Sequence, residues 1–335
     1  MATATVACAS VAHSQSAEIK SGNVIGSPAV GEMPHHMLLT QQDFANLVNI
    51  ETSGEIRIDI LEGKRDDIPV FAMPEMTKSG DIIQATAVPS FFLPGVPELQ
   101  AFEIPYLFRD RDHAALFPES AIAAAISAMI ESRYDVKVVG HFLVAHTVAI
   151  TSTDMPIVLP QDFSNRHVND DFESFAPMWT NIIPAARYQI GYNDAVAGAL
   201  HNEEQLDTSI GMLQNLYAQK QHTKFKYATI APGFYTFFYT FIMNQDTWSG
   251  LTDDQRDGVL RAARTMQQTA IHYEWSTAIY HTALNASLGI EIHRQTKQER
   301  DLWKTEFSRK VRDGIVSKHD DSRAIQEIIA AVENL

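Results

Sequence analysis

Histidine is the residue type in this chain that most directly suggests metal or acid–base chemistry. The thirteen histidines include three close pairs, His35 with His36, His141 with His146, and His272 with His281. Two adjacent side chains, as at positions 35 and 36, do not readily bind one ion together. His141 and His146 are an odd number of residues apart in a segment with strand character, so their side chains are expected on opposite faces. The histidine spacing therefore predicts no metal site.

The acidic residues and the common catalytic motifs lead to the same expectation. Asp170, Asp171 and Glu173 are close together but lack the spaced oxygen ligands and the glycine of a calcium loop. The sequence contains no glycine-rich phosphate loop, Gly-x-Ser-x-Gly elbow, His-Glu-x-x-His or Cys-x-x-Cys motif. We therefore expect neither a metal nor a cofactor, and no motif predicts an enzyme.

Length and charge narrow the class of protein. The chain has 335 residues, enough for two domains, with 45% hydrophobic and 20% charged residues, as in folded globular proteins. Its 26 basic and 41 acidic side chains give a net charge of −15, and the sequence shows no basic cluster, so nucleic acid is not an expected partner. The longest apolar runs, 121–130 and 233–243, are much shorter than the ~20 residues of a membrane-spanning helix. We expect a soluble protein that does not itself span a membrane.

The N-terminal segment, residues 1–17, consists of small or weakly polar residues, with no acidic residue and candidate small-residue cleavage steps near its end. It resembles the end of a secretory signal without its positive n-region, and an unstructured tail is an equally good interpretation. Cys8, the single cysteine, cannot form an internal disulfide. Because no leucine precedes it at positions 5–7, we do not expect a lipid anchor.

Alternation and periodicity predict strands and helices in turn. Residues 55–60 alternate with period two, which places three isoleucines on one face of a strand between Gly54 and Gly63. Residues 138–139 and 142–151 are near-continuous apolar runs, typical of strands covered on both faces. The helical patterns lie at 41–50, 119–133 and 203–220. This alternation predicts an α/β fold with mostly parallel sheets.

The segment after Leu251 predicts one unusually long helix. Thr252 and Gln255 have the spacing of a capping box, no proline appears before Ser287, and Gly289 supplies a stop. Roughly 35 residues at ~1.5 Å per residue give a rod longer than one face of a single domain of this size. Apolar residues recur along it, at positions 259, 260, 263, 266, 270, 273, 278 and 279. We therefore expect a helix that lies across two domains, with a solvent-bridging or coiled-coil helix as the alternative.

Short motifs in order along most of the chain resemble those of one protein family. They are 52–56 (TSGEI), 104–110 (IPYLFRD) with His113-Ala114, Pro156-Ile157 with Asp162-Phe163, 192–198 with 203–205 (EEQ), and 244–248 with Leu251. Their order and spacing are similar to those of the DctP-type solute-binding proteins of TRAP (tripartite ATP-independent periplasmic) transporters. The expected long helix is also a feature of that family.

The resemblance implies a two-domain, periplasmic-binding-protein-like α/β fold whose domains are joined by hinge strands and share the long helix. By analogy, domain I comprises 18–146 and 237–277, and domain II comprises 147–236 and 278–335, after the tail 1–17. A small-molecule ligand would be enclosed between the domains when they close. The closed form would deliver the ligand to a separate TRAP membrane permease. The resemblance thus implies a periplasmic receptor that does no chemistry.

The resemblance also implies a carboxylate-binding site, from which this chain departs. The family typically holds a ligand carboxylate with an arginine whose planar fork forms two parallel bonds. Counting from Asp162, that position is Asn169 here, and a second arginine of some members corresponds to Ala149. Arg166 would point to the other face of the strand, whereas His167 shares the face of Asn169 one pleat away. Neither usual arginine is therefore present.

Two interpretations of the ligand remain open. In the first, the ligand is still an organic acid, and Arg187 beside Tyr188 supplies the positive charge. In the second, the ligand is neutral or cationic and is recognised by Asn169, Gln205 and the acidic residues of 170–173, with Tyr188 stacked on it. We favour the acid because the family's ligands are mostly acids.

Other candidate ligand-binding residues come from segments that line the cleft in this family. They are Glu75, Phe91 and Phe92 in the loop 89–94, His36 in the first binding loop, and His167. The two phenylalanines are alternatively core residues. The aromatic run 234–241 is either a buried hinge strand or a cleft wall.

Two other functions remain as alternatives on the same fold. One is an enzyme with His35, Glu75 or His167 as general base, since fold alone does not dictate function. The other is a receptor coupled to a sensor kinase instead of a permease.

Overall fold

The computed structural model describes residues 16–22, 36–61, 72–89, 93, 95–170, 187–190, 206–218, 220–319 and 322–335. The strands are β1 (Ala17–Gly22), β2 (Ile56–Ile60), β3 (Ala85–Pro89), β4 (Val136–Ser152), β5 (His167–Asp170), β6 (Arg187–Ile190), β7 (Thr208–Met212), β8 (Tyr227–Asn244) and β9 (Glu291–Arg294). The α-helices are α1 (His36–Glu51), α2 (Met73–Ser79), α3 (Arg111–Leu116), α4 (Ala121–Tyr134), α5 (Leu213–Ala218), α6 (Gln245–Gly250), α7 (Asp253–Ser287), α8 (Lys297–Trp303), α9 (Arg309–Lys318) and α10 (Ser322–Glu333). A π-helical turn, Lys304–Ser308, joins α8 to α9.

The strands of the described part form one sheet, in the order β2-β1-β3-β8-β4-β7-β5-β6, with β9 beside β8. The pairs β1/β2, β1/β3, β5/β6, β5/β7 and β8/β9 are parallel, and β3/β8, β4/β8 and β4/β7 are antiparallel. The predicted α/β class is confirmed. The sheet is mixed: five of the eight described strand pairs are parallel, in keeping with the prediction, but the two longest strands run antiparallel to each other and to their neighbours β3 and β7.

The two long strands β4 and β8 lie at the centre of the sheet and pair with each other along nearly their whole length. Residues 136–145 of β4 pair with 237–244 of β8, and residues 147–152 pair with 227–232. Between these two ladders the register shifts, and Gly233 has a φ of +80°, which favours glycine. We call residues 143–147 and 232–237 the strand junction. The aromatic side chains of 234–241 are buried, in agreement with the interpretation of this run as a buried strand.

The predicted long helix is confirmed in extent and in both ends. α7 begins after Thr252 and has 35 residues. The Thr252 N–H donates to the Gln255 side chain at 2.9 Å, and the Gln255 N–H donates to the Thr252 hydroxyl at 3.2 Å, which completes the capping box. The helix packs against α1, β4 and α5. Its predicted apolar face needs one correction, because Ile279 is 55% exposed.

The helix predicted at 203–220 is wrong for residues 206–212, while residues 203–205 and 219 lie outside the described part. Residues 208–212 form β7, and only Leu213–Ala218 is helical. Thr208 and Ile210 are fully buried, and β7 is paired on both sides, with β4 and with β5. The two ladders and the branched side chains outweigh the local helical periodicity at this position.

The C-terminal helices contact parts of the chain that are distant in sequence. The indole N–H of the buried Trp303 donates to the Val158 carbonyl at 2.8 Å, and α10 packs against the 3₁₀ segment Pro97–Glu103 and against α4. Within the described residues no single helix has the length and hydropathy of a membrane span. The pair Arg111–Glu119 and Ala121–Tyr134, bent by 56°, meets those criteria only when taken together.

Candidate functional site

The carboxyl ends of two groups of parallel strands face each other across the strand junction. β3 is antiparallel to β8 and ends at Pro89, opposite Tyr239, and β1 and β2 run in the same direction as β3. β7 is antiparallel to β4 and ends at Met212, opposite Val148, and β5 and β6 run in the same direction as β7. β3 and β7 therefore end beside the junction, and the two groups of strands run towards it from opposite sides. Because ligands of α/β sheets bind outside the carboxyl ends of the strands, the region between these ends is the candidate site.

Four predicted ligand-binding residues lie on the second group of strands. β5 carries His167 and Asn169, and β6 carries Arg187 and Tyr188. The parallel pairing brings the two strands together with His167 opposite Arg187, and places Asn169 one pleat closer to the carboxyl end. The His167 N–H donates to the Asp207 carboxylate at 3.0 Å, which fixes the start of β5. The side chains of residues 169 and 187–190 lie outside the described part, so their role in binding stays a prediction.

The remaining predicted residues belong to other parts of the chain. Phe91 and Phe92 come two and three residues after the end of β3 in the sequence, and together with Gln205 they lie outside the described residues. His36 is the first residue of α1, and its side chain also lies outside them. Glu75 is in the first turn of α2 and is exposed. Their participation in one site remains a prediction.

Tyr134 contacts the chain that follows β3 and lies near Glu75. The Gly95 N–H donates to the Tyr134 hydroxyl at 2.8 Å. Partial burial raises the pKa of Tyr134, and the nearby Glu75 carboxylate raises it further. The structure thus brings Glu75 and Gly95, the residue after the predicted 89–94 loop, close to the same phenol.

Glu274 of α7 holds the strand junction to the long helix. Its side chain is only 4% exposed and forms an ion pair with Arg111, whose Nε lies 2.7 Å from Oε2. Its other oxygen, Oε1, accepts the backbone N–H groups of Thr147 at 2.9 Å and His146 at 3.3 Å. A buried carboxylate with several donors is held in one geometry. This single side chain therefore fixes α7 to β4 where the β4–β8 register shifts.

The role of Glu274 was missed at the level of sequence, although a signal was present. Glu274 continues the four-residue spacing from Ala270 to Ala278 along the buried face of α7. A carboxylate within an apolar stripe indicates a buried partner, because an unpaired buried charge is costly. The identity of that partner depends on the tertiary structure.

The two histidines of β4 are structural side chains of the core. His141 Nδ1 is 3.0 Å from the Thr240 hydroxyl and Nε2 is 2.9 Å from the Ser127 hydroxyl. His146 Nδ1 is 3.0 Å from the Thr236 hydroxyl. Burial lowers the pKa of each histidine to about 4, so both are neutral at pH 7. Each ring therefore joins β4 to β8 by hydrogen bonds.

Comparison with known sequences gives one family and one distant relative. The sequence model of the family described as bacterial extracellular solute-binding protein, family 7 (DctP), matches residues 32–317. The C4-dicarboxylate-binding periplasmic protein DctP of Rhodobacter capsulatus is 23% identical over 243 residues, which are 71% of this chain and 68% of that protein.

Solved structures share the fold over nearly the whole chain. One is a TRAP periplasmic solute-binding protein from Ralstonia eutropha with bound (S)-2-acetolactate, at 17% identity and a TM-score of 0.77, covering 95% of this chain and 99% of that chain. Another is a TRAP periplasmic solute-binding protein from Desulfovibrio desulfuricans with bound sn-glycerol-3-phosphate, at 16% identity and a TM-score of 0.76, covering 94% and 97%. The predicted periplasmic-binding-protein-like fold is therefore confirmed.

Proposed function

The chain belongs to the DctP-type bacterial extracellular solute-binding proteins of family 7, and we propose that it works in the periplasm as a receptor. There it captures a small organic acid at the strand junction and delivers it, unaltered, to a TRAP permease in the membrane. The observation that carries this proposal is the convergence of the two groups of strand ends on one junction. Such an arrangement allows two walls of one site to close on a solute. The related proteins are solute-binding proteins, in keeping with a receptor that performs no chemistry.

We propose the domain division given above, with domain I at 18–146 and 237–277 and domain II at 147–236 and 278–335. The change of ladder in β4 between residues 145 and 147 supports this boundary, since it coincides with the proposed crossing. The packing of α10 against α4 and the segment Pro97–Glu103 indicates that the end of the chain also contacts domain I. The C-terminal helices would then connect the two domains, together with α7.

The proposed organic acid rests on the chemistry of the relatives' ligands. The relatives named above bind, by their descriptions, C4-dicarboxylates, 2-acetolactate and sn-glycerol-3-phosphate, all of which are anions. With Asn169 at the usual arginine position, Arg187 on the adjacent strand is our candidate for the positive charge. A guanidinium fork matches a carboxylate through two charge-assisted bonds.

A thermal-shift screen of the full chain tests this proposal. The probes are succinate, 2-acetolactate and sn-glycerol-3-phosphate, with succinamide as the neutral counterpart of succinate. A ligand at about 100 times its Kd stabilises the folded state by ~2.7 kcal/mol, which moves the melting temperature visibly. We expect an acid to shift the melting temperature and its neutral counterpart to have no effect. A response to succinamide equal to that of succinate would favour a ligand without a carboxylate.

Calorimetric titration of variants with the best acid tests the role of Arg187. Arg187→Gln should weaken binding at least about tenfold, because a charge-assisted bond is worth ~1.5–3 kcal/mol. Arg57→Gln is the matched control, since Arg57 is an arginine of the first group of strands whose side chain is 70% exposed. Equal affinities of wild type and Arg187→Gln would exclude this arginine as the carboxylate partner.

A further inference from the structure

A cavity of about 440 Å³ is lined by the segment 104–109 on one side and by the C-terminal helices on the other. Four basic side chains line it, Arg109, Lys304, Arg309 and Arg312, together with Ser308 and one carboxylate, Glu333. This grouping corrects the expectation that the chain has no basic cluster, because the fold adds Arg109, which is distant in sequence, to the three basic lining residues of 304–312. None of them lies at the strand ends that form the site proposed above.

The charges around this cavity are unbalanced. Glu333 forms an ion pair with Arg312, which leaves one positive charge compensated. Among the described residues no carboxylate is within ion-pair distance of Arg109, Lys304 or Arg309, and the nearby Asp301 is paired with Lys297. Burial, followed by the positive charge of Arg300, lowers the pKa of Lys304, and Arg109 contributes in the same direction while Asp301 opposes it. Among the described residues, Arg109, Lys304 and Arg309 thus share one concavity whose single lining carboxylate, Glu333, is paired with Arg312.

We propose that this cavity binds a small, multiply charged phosphate compound. Its volume lies within the range of about 300–1,000 Å³ that is typical of small-molecule sites. Arginine forks and a lysine ammonium are the side chains that recognise phosphate oxygens, and three uncompensated cations match an anion of two or three charges. A chain with a net charge of −15 repels anions at long range, so this local concentration of positive charge supplies the attraction. The concave shape favours a dissolved phosphate over a membrane surface.

Calorimetric titration of the full chain with inorganic pyrophosphate, at an ionic strength of about 0.05 M where screening is weak, tests the proposal. We expect saturable binding that Arg309→Gln weakens at least about tenfold, because one charge-assisted contact is lost. Lys310→Gln is the matched control, since the exposed Lys310 is adjacent in sequence but does not line the cavity, and its effect should stay below about twofold.

A second variant guards against simple loss of folding. Glu333→Gln removes the competing carboxylate and frees Arg312, so pyrophosphate should bind about 3- to 10-fold more tightly. Absence of saturable binding, or equal weakening by Arg309→Gln and Lys310→Gln, would overturn the proposal. Binding that is lost in Arg187→Gln and retained in Arg309→Gln would assign the probe to the interdomain site and overturn it as well. Binding only to phosphatidylglycerol vesicles, with none to pyrophosphate, would have the same consequence.

Discussion

Replacing Glu274 with alanine tests whether one buried carboxylate holds the strand junction to α7. The change removes the acceptor of the Thr147 and His146 N–H groups and the partner of Arg111. Hydrogen bonds to a charged group contribute ~1.5–3 kcal/mol each, and breaking a buried ion pair from one side costs about 3–5 kcal/mol. We therefore expect the free energy of unfolding to fall by about 3–5 kcal/mol, the cost of breaking the buried ion pair. The 3.3 Å bond to His146 is the weaker of the two hydrogen bonds and should add little to this loss.

Urea denaturation followed by circular dichroism measures this loss. Glu274→Gln keeps an amide oxygen for the two N–H groups but leaves Arg111 without its carboxylate, so its loss should be smaller than that of Glu274→Ala, at about 2–4 kcal/mol. Asp257→Ala is the control, because Asp257 is an exposed acid on the same helix and should change stability by less than about 0.5 kcal/mol. A Glu274→Ala variant as stable as Asp257→Ala would refute the reasoning.

Two further outcomes follow from buried groups on the sheet and on α7. Burial lowers the pKa of His141 from 6.5 to about 4, so its neutral form is favoured in the folded state. The contribution of neutral His141 to the free energy of unfolding is fully present above pH 6.5. It is lost as the pH falls towards 4, by up to about 3 kcal/mol. Urea unfolding at pH 7 and pH 4.5 should show this loss. The His141→Gln variant should show a smaller loss, whereas substitution of the exposed His272 by Gln should leave it unchanged. An unchanged loss in His141→Gln contradicts the assignment. A Cβ on Gly258 would lie 2.7 Å from Thr52 Cγ2, so Gly258→Ala should lower stability by about 1–3 kcal/mol. Gly250→Ala is the control, because a Cβ at Gly250 has no heavy atom within 4 Å. Equal melting temperatures of the two variants would show that α1 and α7 can move apart at no cost in stability.

Features determined locally could be predicted from the sequence. The capping box of Thr252 and Gln255, and the absence of proline after it, fix where α7 begins and how far it runs, because these signals act within a few residues. The strand β2 was predictable for the same reason, since its isoleucines alternate over five residues.

Features determined by distant partners could not be predicted in this way. Residues 208–212 have helical periodicity, but pairing with β4 and β5 makes them a strand. Glu274 contacts Arg111 and β4 only in the complete fold, and only there does Arg109 join the basic residues of 304–312 around the 440 Å³ cavity. For the candidate binding site, the candidate residues came from the family resemblance. The sheet topology explains why strand ends from both halves of the sheet converge there.

The continuity of α7, β4 and β8 has a mechanical consequence under the proposed closure. Each of these elements passes from one half of the sheet to the other without a break, so the halves cannot rotate freely about a flexible linker. Relative motion has to be absorbed as elastic bending of a 35-residue rod and as added twist in two ladders. The affinity for a solute then includes the work of this deformation, so that stiffening the outer surface of α7 would weaken binding without altering any group that touches the solute.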